Sequence, residues 1–287
     1  MDSFQKILIL LTLIVISNCN AISKDAKSKD NNDALLLALA SVAANSSSST
    51  NCPPSSLPSD VFIADEVISA PGASSREFGD PTKAINGICG NGEFAGGMDI
   101  YELEATGAGA SLVLAWKSKR VNNATGVDFI VFENAFRNQG ANTYFVESVV
   151  VDVSEDNVNY CGFTPSFAGG GTATQNREDW RNFAGLTPVL YNMDSNPISA
   201  SELFSNPVKQ TVGSSYYMGT AGGDGFDLDS THFGSDCTTG QRDAIRTNGF
   251  VYIRLRSSQS QGFVAPLGVF RQSADIDGVI AKSISNR

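Results

Sequence analysis

The sequence predicts an all-β domain of two packed sheets, with a signal peptide and a flexible tether before it. Segments rich in β-branched and aromatic residues alternate along the chain with clusters of Gly, Asn, Asp and Pro, which is the pattern of strands joined by turns. No helical period alternates with these segments, so no helices are available to cover a parallel sheet. Many strands at wide, turn-rich spacing are typical of a two-sheet sandwich.

The first 59 residues precede the predicted domain. Lys6 stands before the apolar run 7–16, which has the length of a signal-peptide core and is too short to cross a bilayer as a helix. Residues 20–59 are rich in Ser, Asn, Pro and mixed charges, a composition that cannot offset the entropy lost on ordering. We therefore expect a signal peptide at 1–18, a lipidated cysteine and tether at 19–59, and a β-sandwich at 60–287.

The end of the signal peptide carries a motif of its own. The residues Ile16-Ser17-Asn18-Cys19 resemble the lipobox of bacterial lipoproteins, in the looser form seen in spirochaetes. The resemblance implies cleavage before Cys19 and a diacylglycerol on its thiol, so that two or three acyl chains anchor the mature protein to a membrane. The alternative is an ordinary secretory signal with a cysteine near its end by chance.

The stretch 127–163 is the centre of the predicted domain. It reads VDFIVFENAF, a short polar break, and then YFVESVVVDVSEDNVNYCGF. Both faces of the second strand are largely apolar, so we expect this strand to be central in its sheet. The SEDN segment at 154–157 favours a turn, after which 158–163 can pair back as a hairpin.

Further strands are predicted on both sides of this centre. Residues 61–68 are predicted to form the first strand, and residues 111–116 alternate between apolar and polar side chains. In residues 250–256 apolar and polar side chains alternate with a period of two. The final predicted strand begins within 275–278 and continues to residue 281. The long segment 165–245 contains mostly irregular, loop-like sequence, and long loops in compact domains are often binding elements.

Charge and cysteine content restrict the function classes. The formal charge is −10, with 30 acidic and 20 basic residues, so a nucleic-acid partner is not expected.

If Cys19 is lipidated, four cysteines remain, an even number that suggests two disulfides in an exported protein. Three connectivities are possible, and we favour Cys52–Cys89 and Cys161–Cys237. No CxxC spacing indicates a zinc or redox motif.

Six segments in order carry a family resemblance: GDPTKAINGICG, DFIVFENAF, ESVVVDVSEDNVNYCGF, AGLTPV, GGDGFDLDS and ADIDGVIA. Together they resemble a family of bacterial exported cell-surface proteins and leptospiral surface lipoproteins. The core is similar to galactose-binding-like, discoidin-type jelly rolls, in which a V-x-V-S-x-D-x-x-x-[FWY] hairpin recurs. The resemblance implies a jelly-roll fold and an outer-membrane, cell-surface location. Asn157 stands where Gly is common in that hairpin, and Asn tolerates left-handed backbone geometry.

An acidic set suggests a calcium site. Carboxylates in loops, together with backbone carbonyls, are the oxygen ligands that Ca²⁺ takes. The alternative is that these side chains cap strand ends by hydrogen bonding to their own loop backbones. The candidate ligands are Asp224, Asp227, Asp229, Asp275 and Asp277.

Three other groups of residues could carry chemistry. His232 is the single histidine, and a chain with one histidine cannot form a multi-histidine zinc centre. We expect His232 to be a solvated loop residue. Glu133 and Glu147 lie on or beside the central strands, and a carboxylate pair can hydrolyse glycosidic bonds. Aromatic rings in loop-like segments can bind glycans or proteins, or else pack beneath the loops; these are Trp180, Tyr191, Tyr216 and Tyr217.

These observations favour a surface-exposed lipoprotein that acts as a binding module, or adhesin, for a host extracellular-matrix protein or glycan. Calcium could assist the binding, which we place in the loops between 165 and 245. Two alternatives remain open: a carbohydrate-active enzyme or accessory domain that uses Glu133 and Glu147, and a structural or immune-facing coat protein without a dedicated ligand.

Overall fold

The computed structural model describes residues 52–73, 77–138, 143–169, 176–204, 220–264 and 273–287. Cys19, Tyr216 and Tyr217 therefore lie outside the described residues. No helix in the described ranges is both long and apolar enough to span a bilayer.

The described elements are almost all short strands. The strands are β1 (Phe62–Ile63), β2 (Glu66–Ser69), β3 (Tyr101–Glu102), β4 (Ser111–Ala115), β5 (Lys119–Val121), β6 (Phe129–Glu133), β7 (Phe136–Arg137), β8 (Tyr144–Phe145), β9 (Val149–Ser154), β10 (Cys161–Phe163), β11 (Ser166–Phe167), β12 (Trp180–Arg181), β13 (Asp224–Phe226), β14 (Phe233–Ser235), β15 (Tyr252–Ser257), β16 (Asp275–Ala281) and β17 (Ile284–Asn286). The α-helices are α1 (Ala200–Leu203) and α2 (Thr239–Asn248), and 3-10 helices cover Pro81–Ile85, Ala108–Ala110, Arg177–Asp179 and Ser258–Gln261.

Eleven of these strands form two antiparallel sheets. The five-stranded sheet has the order β1-β16-β6-β13, with β3 also paired to β16, and the six-stranded sheet has the order β14-β10-β9-β15-β4-β2. Along the chain, β1, β2, β3, β4, β6 and β9 alternate between the two sheets. Repeated crossing between two antiparallel layers is the connectivity of jelly rolls. The predicted all-β sandwich is confirmed.

The core fills the space between the sheets. Alternate residues of the strands point inward, so Val131 of β6 and Val151 of β9 belong to one buried cluster although they lie in different sheets. Phe129 is central to this core, because its ring stacks on Phe226 with centroids 5.3 Å apart and meets Phe250 edge-on, also at 5.3 Å. Such aromatic pairs add stabilisation to that of area burial alone.

The predicted centre of the domain is central in the structure. All residues of β6 and β9 are buried, and each strand has neighbours on both sides. The predicted hairpin is present, since β9 and β10 pair with Cys161 opposite Val153. In its turn Asn157 has φ 62°, the left-handed geometry that asparagine tolerates.

The predicted first strand differs from the structure. Residues 61–68 do not form one strand; β1 pairs with β16 in the five-stranded sheet, whereas β2 pairs with β4 in the six-stranded sheet. The two residues between them, Ala64 and Asp65, carry the chain from one layer to the other. A short period-two pattern cannot reveal such a crossing, because both halves remain extended.

Both favoured disulfides are present. Cys52 is bonded to Cys89 and Cys161 to Cys237, with Cα–Cα distances of 5.8 and 5.0 Å. The first bond joins Cys52, which precedes β1, to Cys89, which follows the 3-10 helix Pro81–Ile85.

Candidate functional site

Four carboxylates meet at one end of the sandwich. Glu102 ends β3, Glu133 ends β6, Glu147 precedes β9 and Asp275 begins β16. In the five-stranded sheet Asp275 lies opposite Glu102, and the neighbouring residue Ile276 lies opposite Glu133. We call Glu102, Glu133, Glu147 and Asp275 the acidic cluster.

Backbone and hydroxyl donors around the start of β16 hold these side chains. The N–H of Asp275 donates to Oε1 of Glu133, and the N–H of Ser273 donates to Oε1 of Glu147, each at 3.1 Å. The Ser273 hydroxyl donates to Oε1 of Glu102 at 2.5 Å. Because the two N–H groups are two residues apart along the chain, Glu133 and Glu147 occupy neighbouring positions.

The electrostatics of the cluster are unfavourable for ionised carboxylates. Glu133 is 1% exposed and Glu147 is 6% exposed. Burial, and then the charge of Asp275, raises the pKa of Glu133 well above its usual value; burial and the charge of Glu133 do the same to the pKa of Glu147. Burial raises the pKa of Asp275 to about 7. Within the described ranges, no Lys or Arg forms an ion pair with these three residues.

One carboxylate oxygen in the cluster has no partner. Oε2 of Glu133 is fully buried and makes no hydrogen bond, which is costly for a polar atom. Gly185 closely approaches this oxygen with φ 81°, and a Cβ there would lie 3.1 Å from it and 2.4 Å from the carbonyl oxygen of Glu147. Only glycine allows the chain to pass so close.

The five aspartates predicted to bind calcium do not form one group. Asp277 accepts the N–H of Cys89 through both oxygens, at 3.0 and 2.9 Å. Asp227 accepts the N–H of Asp229 at 2.8 Å in a local turn. Asp275 belongs to the acidic cluster, and the charge of Asp224 acts on Glu133, a member of the cluster.

The Asp224 carboxylate accepts hydrogen bonds from a neighbouring loop. Its carboxylate accepts the N–H of Leu186 at 2.9 Å and the hydroxyl of Thr187 at 2.8 Å. Burial raises the pKa of Asp224 to about 6 in spite of these bonds. Asp227 bonds to its own loop backbone, the alternative considered from the sequence, whereas Asp224 and Asp277 bond to segments far away in the sequence.

The predicted ligand-binding aromatics that the structure describes are buried. Trp180 is 1% exposed and packs on Phe167 with ring centroids 4.3 Å apart. Tyr191 is 0% exposed and lies beside Phe132 on the outer face of the five-stranded sheet. Packing beneath loops is therefore the role of these two rings, whereas Tyr216 and Tyr217 lie outside the described residues. His232 is exposed on a turn, as expected.

A second polar arrangement covers the outer face of the six-stranded sheet. Asp152 is fully buried and binds Arg256 through two nitrogens, at 2.8 and 3.0 Å, and the Nε of Arg254 at 3.1 Å. The guanidinium of Arg254 stacks on the ring of Tyr160, 3.9 Å from its centroid. We call Tyr160, Tyr252, Arg254 and Arg256 the basic–aromatic face.

The sequence analysis named Glu133, Glu147 and Asp275, but in two separate groups, and it named neither Glu102 nor the basic–aromatic face as part of a site. The basic–aromatic face was visible as the polar side of the period-two strand 250–256, because Ile253 and Leu255 point into the core and Arg254 and Arg256 point out. Glu102 had no local signal, since its place beside Asp275 depends on a pairing between distant parts of the chain.

No protein-family model matches this chain, and no curated protein matches it.

Proposed function

We propose that this chain is an exported, lipid-anchored binding module of the bacterial outer surface, and that it binds an acidic glycan or a host matrix protein that carries such glycans. The basic–aromatic face is the observation that supports this function most directly. Arg254 and Arg256 both form ion pairs with one buried carboxylate, that of Asp152.

The two arginines are held in place before any ligand arrives. Asp152 hydrogen bonds to both guanidinium groups, and the guanidinium of Arg254 stacks on the ring of Tyr160. Even so, 28% of the Arg254 side chain and 19% of the Arg256 side chain remain exposed. A guanidinium binds carboxylate and sulfate groups through paired hydrogen bonds. Fixing it in advance lowers the entropy lost on binding.

The disulfides support a location outside the cytoplasm. Disulfides persist in oxidising compartments, and two of them close loops in this domain. Lipidation at Cys19 would then hold the domain at the membrane surface. The change Cys19→Ala should release the protein from the membrane fraction, and continued membrane retention would contradict the anchor.

Binding of sulfated glycosaminoglycans to the full chain tests the proposed ligand. We expect Arg254→Ala to weaken binding about tenfold or more. Arg242→Ala is the matched control, because Arg242 is a similarly exposed arginine whose partner, Asp243, lies at the surface; this variant should bind as the unmodified chain does. Equal binding by both variants would refute the face as the site, and no binding to any glycan or matrix protein would favour the coat-protein alternative.

The enzyme alternative keeps one observation in its favour. Glu133 and Glu147 accept hydrogen bonds from backbone N–H groups two residues apart, and glycoside hydrolysis uses a pair of carboxyl groups. Burial raises the pKa of both residues, whereas that mechanism keeps one of the two carboxylates ionised. Asp227, in contrast, makes its hydrogen bond in a turn elsewhere. Turnover of aryl glycosides by the unmodified chain, abolished in Glu147→Gln, would replace the binding function with the enzymatic one.

A further inference from the structure

We propose that the acidic cluster binds one divalent cation, with Ca²⁺ as the preferred ion and with Glu133, Glu147 and Asp275 as the protein ligands. This site shares only Asp275 with the set of five aspartates suggested by the sequence, and it does not depend on the glycan-binding proposal.

The first argument is the unpartnered oxygen. Glu133 is nearly inaccessible to solvent, and its Oε2 has no hydrogen-bond donor. A buried carboxylate oxygen without a donor costs free energy, and a bound cation removes that cost. Glu147 and Asp275 are close enough for their charges to act on one another, and no cation from a described Lys or Arg compensates Glu133, Glu147 or Asp275.

The second argument is the way in which the glutamates are held. Each uses Oε1 to accept a backbone N–H, from Asp275 for Glu133 and from Ser273 for Glu147. These hydrogen bonds orient the two carboxylates and do not involve the Oε2 atom of either one. Hydrogen bonds from surrounding groups commonly orient metal ligands in this way.

The donor set selects the ion. The cluster offers only oxygen, with no imidazole or thiolate, and hard cations prefer oxygen ligands. The carbonyl oxygen of Glu147 and Oε2 of Glu133 both lie close to Gly185, so a backbone carbonyl could serve as a further ligand beside the carboxylates. Ca²⁺ accepts irregular mixtures of carboxylate and carbonyl oxygens, whereas Mg²⁺ requires near-octahedral geometry.

Binding has to draw the ligands closer. Among the described residues, one group of three potential metal ligands has all its ligand atoms within 4.8 Å of one another. This group is Cys52, Cys89 and Asp99, and its two cysteines form a disulfide. The acidic cluster does not reach that spacing, so at least one carboxylate must rotate inward. We therefore expect binding to stabilise the fold and to change local side-chain positions.

Calcium titration of the full chain, first stripped with chelator, tests the site. Isothermal titration calorimetry should give one Ca²⁺ per chain, and the melting temperature should rise by about 5 °C or more when Ca²⁺ is at 100 times its Kd. Absence of both heat and a melting shift at millimolar Ca²⁺ would overturn the proposal. An equal response to Mg²⁺ would overturn the choice of ion.

Matched variants locate the ion. Glu133→Gln and Glu147→Gln preserve side-chain shape and an acceptor for the backbone N–H, so both should fold and should bind Ca²⁺ at least about tenfold more weakly. Asp229→Asn is the control, because Asp229 belongs to the aspartate set but not to the acidic cluster. Loss of binding in Asp229→Asn with retention in both glutamine variants would overturn the assignment. Arg254→Ala should leave Ca²⁺ binding unchanged, so failure of the glycan proposal and failure of the cation proposal are distinguishable.

Discussion

The Cys161–Cys237 disulfide should be a major source of stability in this domain. It joins β10, in the interior, to the segment after β14, and the two cysteines are 76 residues apart in the sequence. Closing a loop of that length in the unfolded chain corresponds to about 4.5 kcal/mol at 25 °C in the chain-entropy description. The paired change Cys161→Ala and Cys237→Ala should therefore lower the free energy of unfolding by about that amount.

The second disulfide provides the matched control. Cys52 and Cys89 are 37 residues apart, which corresponds to about 3.9 kcal/mol for the smaller loop. Both double-alanine variants should be unfolded in urea under non-reducing conditions, and the midpoints and slopes compared with those of the unmodified chain. The ranking should follow loop length. If removal of Cys161–Cys237 changes the free energy of unfolding by less than about 1 kcal/mol, loop closure is not how this bond stabilises the domain.

Two further predictions concern the backbone and the buried charges. Gly222→Ala should destabilise the domain by about 2 kcal/mol or more, because Gly222 has φ 68° and a Cβ would lie 1.8 Å from the carbonyl oxygen of Pro188; unchanged urea unfolding would contradict this reasoning. Burial raises the pKa of Asp128 to about 7, so its contribution to stability is fully present below pH 4 and is lost as the pH rises towards 7. Asp128→Asn should therefore lose less stability than the unmodified chain between pH 4 and pH 8 in chelator, and identical pH profiles would show that Asp128 does not titrate in this way.

Local sequence signals were sufficient for much of the architecture. The hairpin of β9 and β10 was predictable because its turn residues and its apolar strands lie within one short stretch, and Asn157 adopts the left-handed geometry that its side chain permits. The strand 252–257 was predictable for the same reason, since alternate burial follows directly from a period of two.

Contacts between distant parts of the chain were not predictable in this way. The acidic cluster forms because β3 and β6 both pair with β16, so Glu102 and Glu133 reach residues more than a hundred positions away. Nothing in the sequence around Glu102 indicates that pairing. Trp180 and Tyr191 looked like loop aromatics available to a ligand, and tertiary packing placed them inside two satellite clusters instead.

The position of β16 has a consequence for how the domain is made. This strand contains only Asp275–Ala281, yet β1, β3 and β6 all hydrogen bond to it. Until those seven residues emerge from the ribosome, the other three strands have no shared neighbour, and their unpaired edges remain available to other chains. A nascent polypeptide stopped shortly before residue 275 should therefore stay sensitive to protease, because synthesis of β16 is the step that lets β1, β3 and β6 join in one sheet.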